Sequence, residues 1–290
     1  MVPATAGSSL DMVARTLSEQ LLPRWGKPVV VENKPGAGGL IGVAAATRAA
    51  PDGHVMALGY NGPLALAPFL YRSLPYDVAR DLLPVVMTSS QPNVLAVTAD
   101  VPARSVRELI AWARSRHKAV TYASIGSGSS SHLTMELFKR AAGFDAVHVP
   151  FNGSPAAAFS VARGETQLLF AVASGVMPQA QSGQIRLLAI TSTQRFAGLD
   201  QLPTMAESGL HGFVAEAWNG LVVAAGTPAD VVRKISADVN DVLQRPDVRM
   251  RFRSLGMAVA GGSPAAFRTL IDDEMKRWGP VIRQAGITIE

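Results

Sequence analysis

Three short turns rich in glycine and serine hold the residues of this sequence best suited to binding chemistry. They read Thr5-Ala6-Gly7-Ser8-Ser9, Gly126-Ser127-Gly128-Ser129-Ser130-Ser131 and Asn152-Gly153-Ser154-Pro155, and each stands where a strand pattern passes into a helix pattern. A helix start leaves backbone N–H groups without an intrahelical acceptor and carries the positive end of the helix dipole. Small hydroxyls add donors, and no bulky side chain bars approach. That combination suits a small anion, a carboxylate or a phosphate. Each turn taken alone is better explained as a helix cap, and Ser8-x-x-Asp11 is itself a capping-box pattern that would make Asp11 structural. One such turn near the start and two in mid-chain favour a shared anion site over three unconnected caps.

Further residues flank these turns. Tyr60-Asn61-Gly62-Pro63 follows a strand pattern and offers Asn61 as an additional wall. Phe151 leads into the third turn. Phe170-Ala171 ends another strand, and the small Ala173-Ser174-Gly175 after it leaves room for a ligand. Trp218 reads equally as a ring lining a cleft and as core.

Signals for catalysis are weak. The chain has no cysteine, which excludes thiolate chemistry, disulfides and cysteine-based zinc sites, and its five histidines show no metal spacing. His132 beside Ser129 to Ser131 invites a serine hydrolase reading, but neighbouring residues at a helix start point in different directions, and no third group orients the imidazole. His148 sits in strand alternation and faces either a cleft or a neighbouring element. His54, His117 and His211 lie in turn-like settings. The run Gly36-Ala37-Gly38-Gly39-Leu40-Ile41-Gly42 has G-x-G-x-x-x-G spacing, not the dinucleotide fingerprint, and is better read as tight helix packing. No cofactor is expected.

The elements that would hold the turns follow a βαβ rhythm. Strands are expected at Pro28 to Glu32, His54 to Leu58, Pro84 to Met87, Asn93 to Thr98, Val120 to Ser124, Val147 to Pro150, Gln167 to Phe170, Leu187 to Thr191 and Gly220 to Gly226. Helix starts are expected at the Ser105-Val-Arg-Glu108 capping box, at Thr227-Pro228 and at Ser263-Pro264. The pattern predicts an α/β fold with parallel-rich sheets. A lobe change is expected at Asp100-Val101-Pro102-Ala103, giving lobe one as 1–100, lobe two as 101–221, and a return to lobe one with C-terminal helices over 222–290.

The 290 residues are 48% hydrophobic and 17% charged, ample for two buried cores. No apolar run reaches the roughly 18 residues of a membrane span, so no membrane insertion is expected. The net charge of +5 comes from scattered basic residues without a stripe, which argues against nucleic acid. The densest basic stretch, Arg245 to Arg253, alternates with Val248, Met250 and Phe252, as a solvated helix face does. An absence of thiols suits an extracytoplasmic compartment.

Along nearly its full length the chain resembles the Bug-type, TctC-like periplasmic receptors of tripartite tricarboxylate transporters. The resemblance is carried by Gly7-Ser-Ser-Leu-Asp-Met-Val-Ala-Arg15, Val29-Val-Val-Glu-Asn-Lys-Pro-Gly-Ala-Gly-Gly39, Ala50-Pro-Asp-Gly53, Leu74-Pro-Tyr-Asp77, Ser131-His132-Leu133, His148-Val-Pro-Phe-Asn-Gly-Ser154, Leu202-Pro-Thr-Met-Ala-Glu207 and Trp218-Asn-Gly-Leu221. It implies a two-lobe periplasmic-binding-protein fold, a Venus flytrap with the ligand cleft between lobes. It implies a monomeric periplasmic protein that captures a small carboxylate, in part through backbone groups of the turn from Pro3 to Ser9, delivers it to a membrane permease and has no catalytic residues. A ligand-sensing receptor for a signalling partner is the alternative function. Relatives start with a signal peptide and a full first strand; here no basic segment or apolar leader precedes Met1-Val2-Pro3, which reads as the end of that strand. The usual Pro-Gly-Gly of the first turn is Thr5-Ala6-Gly7 here, and an acidic residue expected after Phe170 is Ala171. The missing carboxylate disfavours an amino-acid ligand and favours a di- or monocarboxylate, aromatic ones included.

Overall fold

The computed structural model describes residues 1–151 and 153–289. The chain forms two units, Met1–Ser90 with Trp218–Glu290, and Gln91–Ala217. Helix α1 (Ser9–Trp25) starts at the Ser8 cap and ends at Gly26, whose φ of 62° is the left-handed stop that glycine supplies. Helix α2 (Leu40–Thr47) leads to strand β1 (Met56–Tyr60), short helices α3 (Ala67–Leu70) and α4 (Val78–Asp81), and the long strand β2 (Leu82–Thr98). The second unit follows with α5 (Val106–Ser115), β3 (Val120–Ser124), α6 (Ser130–Ala142), β4 (Ala146–Pro150), α7 (Ser154–Ala162), β5 (Leu168–Val172), α8 (Met177–Gln181) and β6 (Ile185–Ile190). Strand β7 (Glu216–Ala224) returns to the first unit, which closes with α9 (Ala229–Gln244), α10 (Pro246–Ser254), β8 (Ala258–Val259) and α11 (Pro264–Gln284).

The sheets are mixed rather than parallel-rich. In the first unit β1 pairs antiparallel with β7, β7 lies beside β2, and β8 pairs antiparallel with β2. In the second unit β3 is flanked in parallel by β4 and β5, while β2 runs antiparallel to β5 and β6. The parallel strands β3, β4 and β5 are joined through the helices α6 and α7, the crossovers that parallel strands require.

The passages between units fall within β2 and β7, at Ser90/Gln91 and Ala217/Trp218, whereas the turn at Asp100–Ala103 and the strand pattern from Gly220 suggest 100/101 and 221/222. Two separate strands, Pro84 to Met87 and Asn93 to Thr98, were expected where β2 is continuous. The polar residues between them look like a loop in sequence but are buried and paired. Thr88 Oγ1 donates to Asn219 Oδ1 at 2.5 Å, and Ser89 Oγ donates to the same oxygen at 3.1 Å. Pro28 to Glu32 forms no strand. Its edge meets a single residue, through Val2 N–H to Glu32 O and Lys34 N–H to Val2 O, both 2.8 Å, and Val30 is 82% exposed. A β-branched run without a ladder partner stays extended but unpaired.

The first unit has two apolar clusters. In one, Val13, Leu17 and Leu21 of α1 face Ile235, Val239 and Val242 of α9. In the other, Trp218 meets Phe267 edge to face at 5.6 Å. In one cluster of the second unit, Ala123 and Ala171 pack against Ala157, Ala158 and Val161 of α7. Ser105 and Ser263 cap α5 and α11 as their patterns predict. Thr227 does not cap α9: its hydroxyl donates to Ala224 O at 2.7 Å, and Pro228 takes the cap position without a side-chain bond.

Gly220, in β7, shows how tightly the first core closes. A Cβ there would lie 2.4 Å from the Phe267 ring and 2.6 Å from the Val86 carbonyl oxygen. The ring can shift, the ladder carbonyl cannot. Gly220→Ala is therefore expected to lower stability by about 2 kcal/mol or more, read as a lower urea midpoint; an unchanged midpoint would contradict this packing.

Candidate functional site

The first turn is organised by one buried carboxylate. Asp11 is 2% exposed, and three donors converge on its carboxylate. Gly7 N–H and Arg15 Nε both donate to Oδ2 at 2.9 Å, Asn33 Nδ2 donates to Oδ1 at 3.0 Å, and the Asp11 N–H donates to Ser8 Oγ at 3.3 Å. Asn33 also donates to Ala4 O at 3.1 Å, and Ser8 N–H closes the turn onto Thr5 O at 3.2 Å. These bonds, that from Arg15 first, outweigh the cost of burial and hold the Asp11 carboxyl down at about 2 against its ordinary 3.8. Gly7 has a φ of 79°, which a side chain would strain. Thr5, Ala6, Gly7 and Ser9 are exposed and Ser8 is half-buried. The Gly7 N–H, however, is already taken by Asp11 and is not one of the donors a ligand would meet.

In the second unit two of the expected turns lie side by side. Strands β3 and β4 end in register, Ser124 opposite Pro150, so the starts of α6 and α7 share one sheet edge. Phe151 N–H donates to Ser124 O at 3.0 Å, and a Cβ on Gly126 would stand 3.9 Å from Phe151 O. Ser129 caps α6, accepting from His132 N–H at 3.3 Å and donating to Gly126 O at 2.6 Å. Ser130 Oγ accepts from Asn93 Nδ2 at 3.1 Å, and the buried Ser131 hydroxyl donates to Phe170 O. Ser127 is exposed. The α6 hydroxyls thus serve mainly to build the turn, while the N–H groups of its first helical positions remain without intrahelical acceptors.

Helix α7 starts at Gly153, φ 93°, which has no side chain to cap it. Ser154 is half-buried, and a Cβ on Gly175 would reach the Ser154 Cβ at 2.8 Å, so the Ala173–Gly175 turn sits directly on this helix start. Asn152 lies outside the described residues.

A column of aromatic rings stands under the Gly126–Ser131 turn. His132 and His148 stack at 3.7 Å between centroids and 10° between planes, and Tyr122 stacks on His148 at 5.0 Å. His132 Nδ1 accepts the Gly128 N–H at 3.0 Å. His148 Nε2 lies 2.6 Å from Ser124 Oγ. The latter has the distance of a nucleophile and its base, yet Ser124 is 0% exposed and no substrate carbon reaches it. The serine beside His132 in sequence, Ser131, points into the core instead. Sequence reasoning missed Ser124 because its partner lies 24 residues away on the next strand.

Three expected residues take other places. Ala171 is 1% exposed and its methyl joins the α7 cluster, so the absent acid there carries no message about a ligand. Trp218 is buried and its indole N–H donates to Glu274 Oε2 at 3.2 Å. Asn61 is buried just after β1. The glycine run from Gly36 serves packing: a Cβ on Gly39 would strike the Tyr60 ring at 2.8 Å, and one on Gly42 would strike Pro3 at 2.7 Å. Among the described residues no His, Cys, Asp and Glu group is placed to hold a metal, and no helix is long and apolar enough to cross a membrane.

A family model described as tripartite tricarboxylate transporter family receptor matches residues 13–287. Protein BugT of Bordetella pertussis is 34% identical over 291 residues, spanning 100% of this chain and 89% of that protein. The structure of R. palustris Rpa4515 with adipate is 32% identical with a TM-score of 0.87, over 99% of this chain and 97% of that one. MatC (Rpa3494) from Rhodopseudomonas palustris with bound malate is 30% identical with a TM-score of 0.81, over 97% of each chain.

The Asp11 network predicts an acid-sensitive first turn. A carboxyl held below its ordinary value stabilises the fold fully above pH 3.8 and ceases to do so as pH falls through about 2. Asp11→Ala should cost about 1–3 kcal/mol at neutral pH, because Gly7 N–H and the Asn33 amide lose their acceptor. In urea unfolding the gap between parent and variant should narrow between these two pH values; a gap independent of pH would contradict the assignment.

Proposed function

The chain belongs to the tripartite tricarboxylate transporter receptor family, whose members are solute-binding receptors with a mixed α/β periplasmic-binding-protein fold and not enzymes, and on that premise we propose that it captures a small carboxylate in the periplasm and delivers it to a membrane permease. The observation that carries this reading is the pair of helix starts, α6 and α7, at one edge of the second unit's parallel strands. Ligands of open α/β sheets bind beyond this edge. Two relatives solved with the dicarboxylates adipate and malate support the same class of ligand.

In this proposal the Thr5–Ser9 turn of the first unit and the Gly126–Ser130 and Phe151–Ser154 turns of the second each offer donors to a carboxylate. None of the three turns contains a lysine or arginine, so recognition rests on N–H groups, hydroxyls and helix dipoles. Bonds from neutral donors to an ionised carboxylate contribute about 1.5–3 kcal/mol each, and a dipole adds about 0.3–1. Several converging donors are therefore required, which is what adjacent helix starts supply. The ligand class is a di- or monocarboxylate, and the protein acts as a monomer.

Mass spectrometry of small molecules released from the purified protein, followed by a thermal-shift panel that includes adipate and malate, tests the reading. A carboxylate at about 100 times its Kd should add roughly 2.7 kcal/mol of stability. Ser127→Ala should weaken binding by about 1.5–3 kcal/mol. Gly128→Val, which forces a β-branched residue to a φ of 70°, should abolish it. A panel with no stabilising carboxylate would remove the proposal, and normal binding by Gly128→Val would remove this placement of the site.

A further inference from the structure

Both glycines of the Gly126–Ser131 turn are tied by their backbone to the ring column beneath it. Gly128 N–H donates directly to His132 Nδ1 at 3.0 Å. Gly126 N–H donates to Ser124 Oγ at 3.2 Å, and that hydroxyl contacts Gly126 O at 3.1 Å and His148 Nε2 at 2.6 Å. The two imidazoles then lie flat on one another. A helix cap needs none of this, since Ser129 already caps α6.

We propose that His132 is a positioning residue for the ligand turn: as a neutral imidazole bare at Nδ1 and protonated at Nε2, it takes up the Gly128 N–H and fixes the path of the chain from Gly126 into α6. The inference rests on the reading of this turn as part of the carboxylate site. The tautomer follows from the geometry, because an N–H donor faces Nδ1 and only a lone pair can accept it. A second proton would set two N–H groups against each other and leave the Gly128 N–H, which is buried, without an acceptor. It would also press a cation onto the face of His148.

The surroundings oppose that proton. From its own helix His132 has Lys139 and Glu136 nearby, ion-paired to each other at 2.8 Å. From β3 come Tyr122 and Ser124, from β4 His148, and from the turn before β4 Asp145, which Lys139 contacts at 3.3 Å. Tyr122 donates to Glu136, which keeps that carboxylate occupied. Burial first, then His148 and Lys139, push His132 down to about 3. His148 is lowered as well, by burial chiefly and by Lys139, against a raising effect of Glu136. An ordinary histidine gains its proton near pH 6.5. This one keeps its acceptor through mild acid, so the turn holds one shape over that range.

The first measurement is the imidazole 15N spectrum of the intact protein between about pH 8 and pH 5. His132 is expected as a single neutral tautomer carrying its proton on Nε2; an Nδ1–H tautomer, or titration near 6.5, overturns the proposal. Two variants then separate acceptor from ring. His132→Phe keeps a flat ring and loses the acceptor, while His132→Asn keeps an acceptor near the Nδ1 position and loses the ring. Hydrogen exchange at the Gly128 amide should accelerate about tenfold or more in His132→Phe and stay within about threefold of the parent in His132→Asn. Adipate affinity should follow the same order. Unchanged exchange in His132→Phe overturns the positioning role. Faster exchange with unchanged adipate affinity keeps the hold on Gly128 and instead refutes the carboxylate site at this turn. Should His132→Phe fail to fold, the tautomer and His132→Asn still decide.

Discussion

Backbone N–H groups at the start of a helix have no acceptor within the helix, and the candidate site takes its shape from which of them the protein satisfies with its own side chains. The first turn gives Gly7 N–H to Asp11. The second gives Gly128 N–H to His132, Gly126 N–H to Ser124 and His132 N–H to Ser129. The third starts at a glycine and has no side-chain cap at all. Satisfying some donors internally is what makes the others dependable, because a turn with every N–H loose would relax toward whichever acceptor came near. The acceptors chosen differ in kind: an ionised carboxylate paired with Arg15, and a neutral imidazole stacked on a second ring. Each is matched to the charge its surroundings tolerate.

Elements whose stabilising contacts are local were legible in the sequence. Ser105, Ser129 and Ser263 cap the helices that follow them. Features that depend on a distant partner were not. The continuity of β2 rests on Asn219, more than a hundred residues away, and nothing local to Thr88 and Ser89 announces it. Pro28 to Glu32 has strand composition but lacks a ladder partner, a fact written elsewhere in the chain. Trp218 was left open between cleft and core, and Ala171 was placed at the site, for the same reason: a strand residue alternates faces, and which face is core depends on what packs there. Of the site itself, the three turns could be named from their composition. The network beneath them, Asp11 with Asn33 and His132 with His148 and Ser124, required coordinates.

Proximity of a serine to a histidine is a poor guide to chemistry without exposure. Ser124 and His148 have the separation of a catalytic pair, and the family to which the chain belongs does no catalysis. The pair instead braces a turn from below, with the serine sealed and the imidazole lowered by burial. A neutral, buried hydrogen-bonded pair of this kind adds rigidity without adding charge to a surface that an anion would approach.

The insertion of the second unit within the first imposes an order in time. Its two ends are held together by Asn93 Nδ2 donating to Ala215 O at 2.9 Å, so Gln91–Ala217 closes on its own contacts. The first unit has no such independence. Strand β1 pairs with β7, and the apolar face of α1 packs on α9, both of which lie beyond the second unit's helices and inner strands in sequence. Before α9 is made, Val13, Leu17 and Leu21 lack that partner. Of the helices described, α1 is thus separated from its packing partner by the whole of the second unit, and its apolar face is the one that must wait for it.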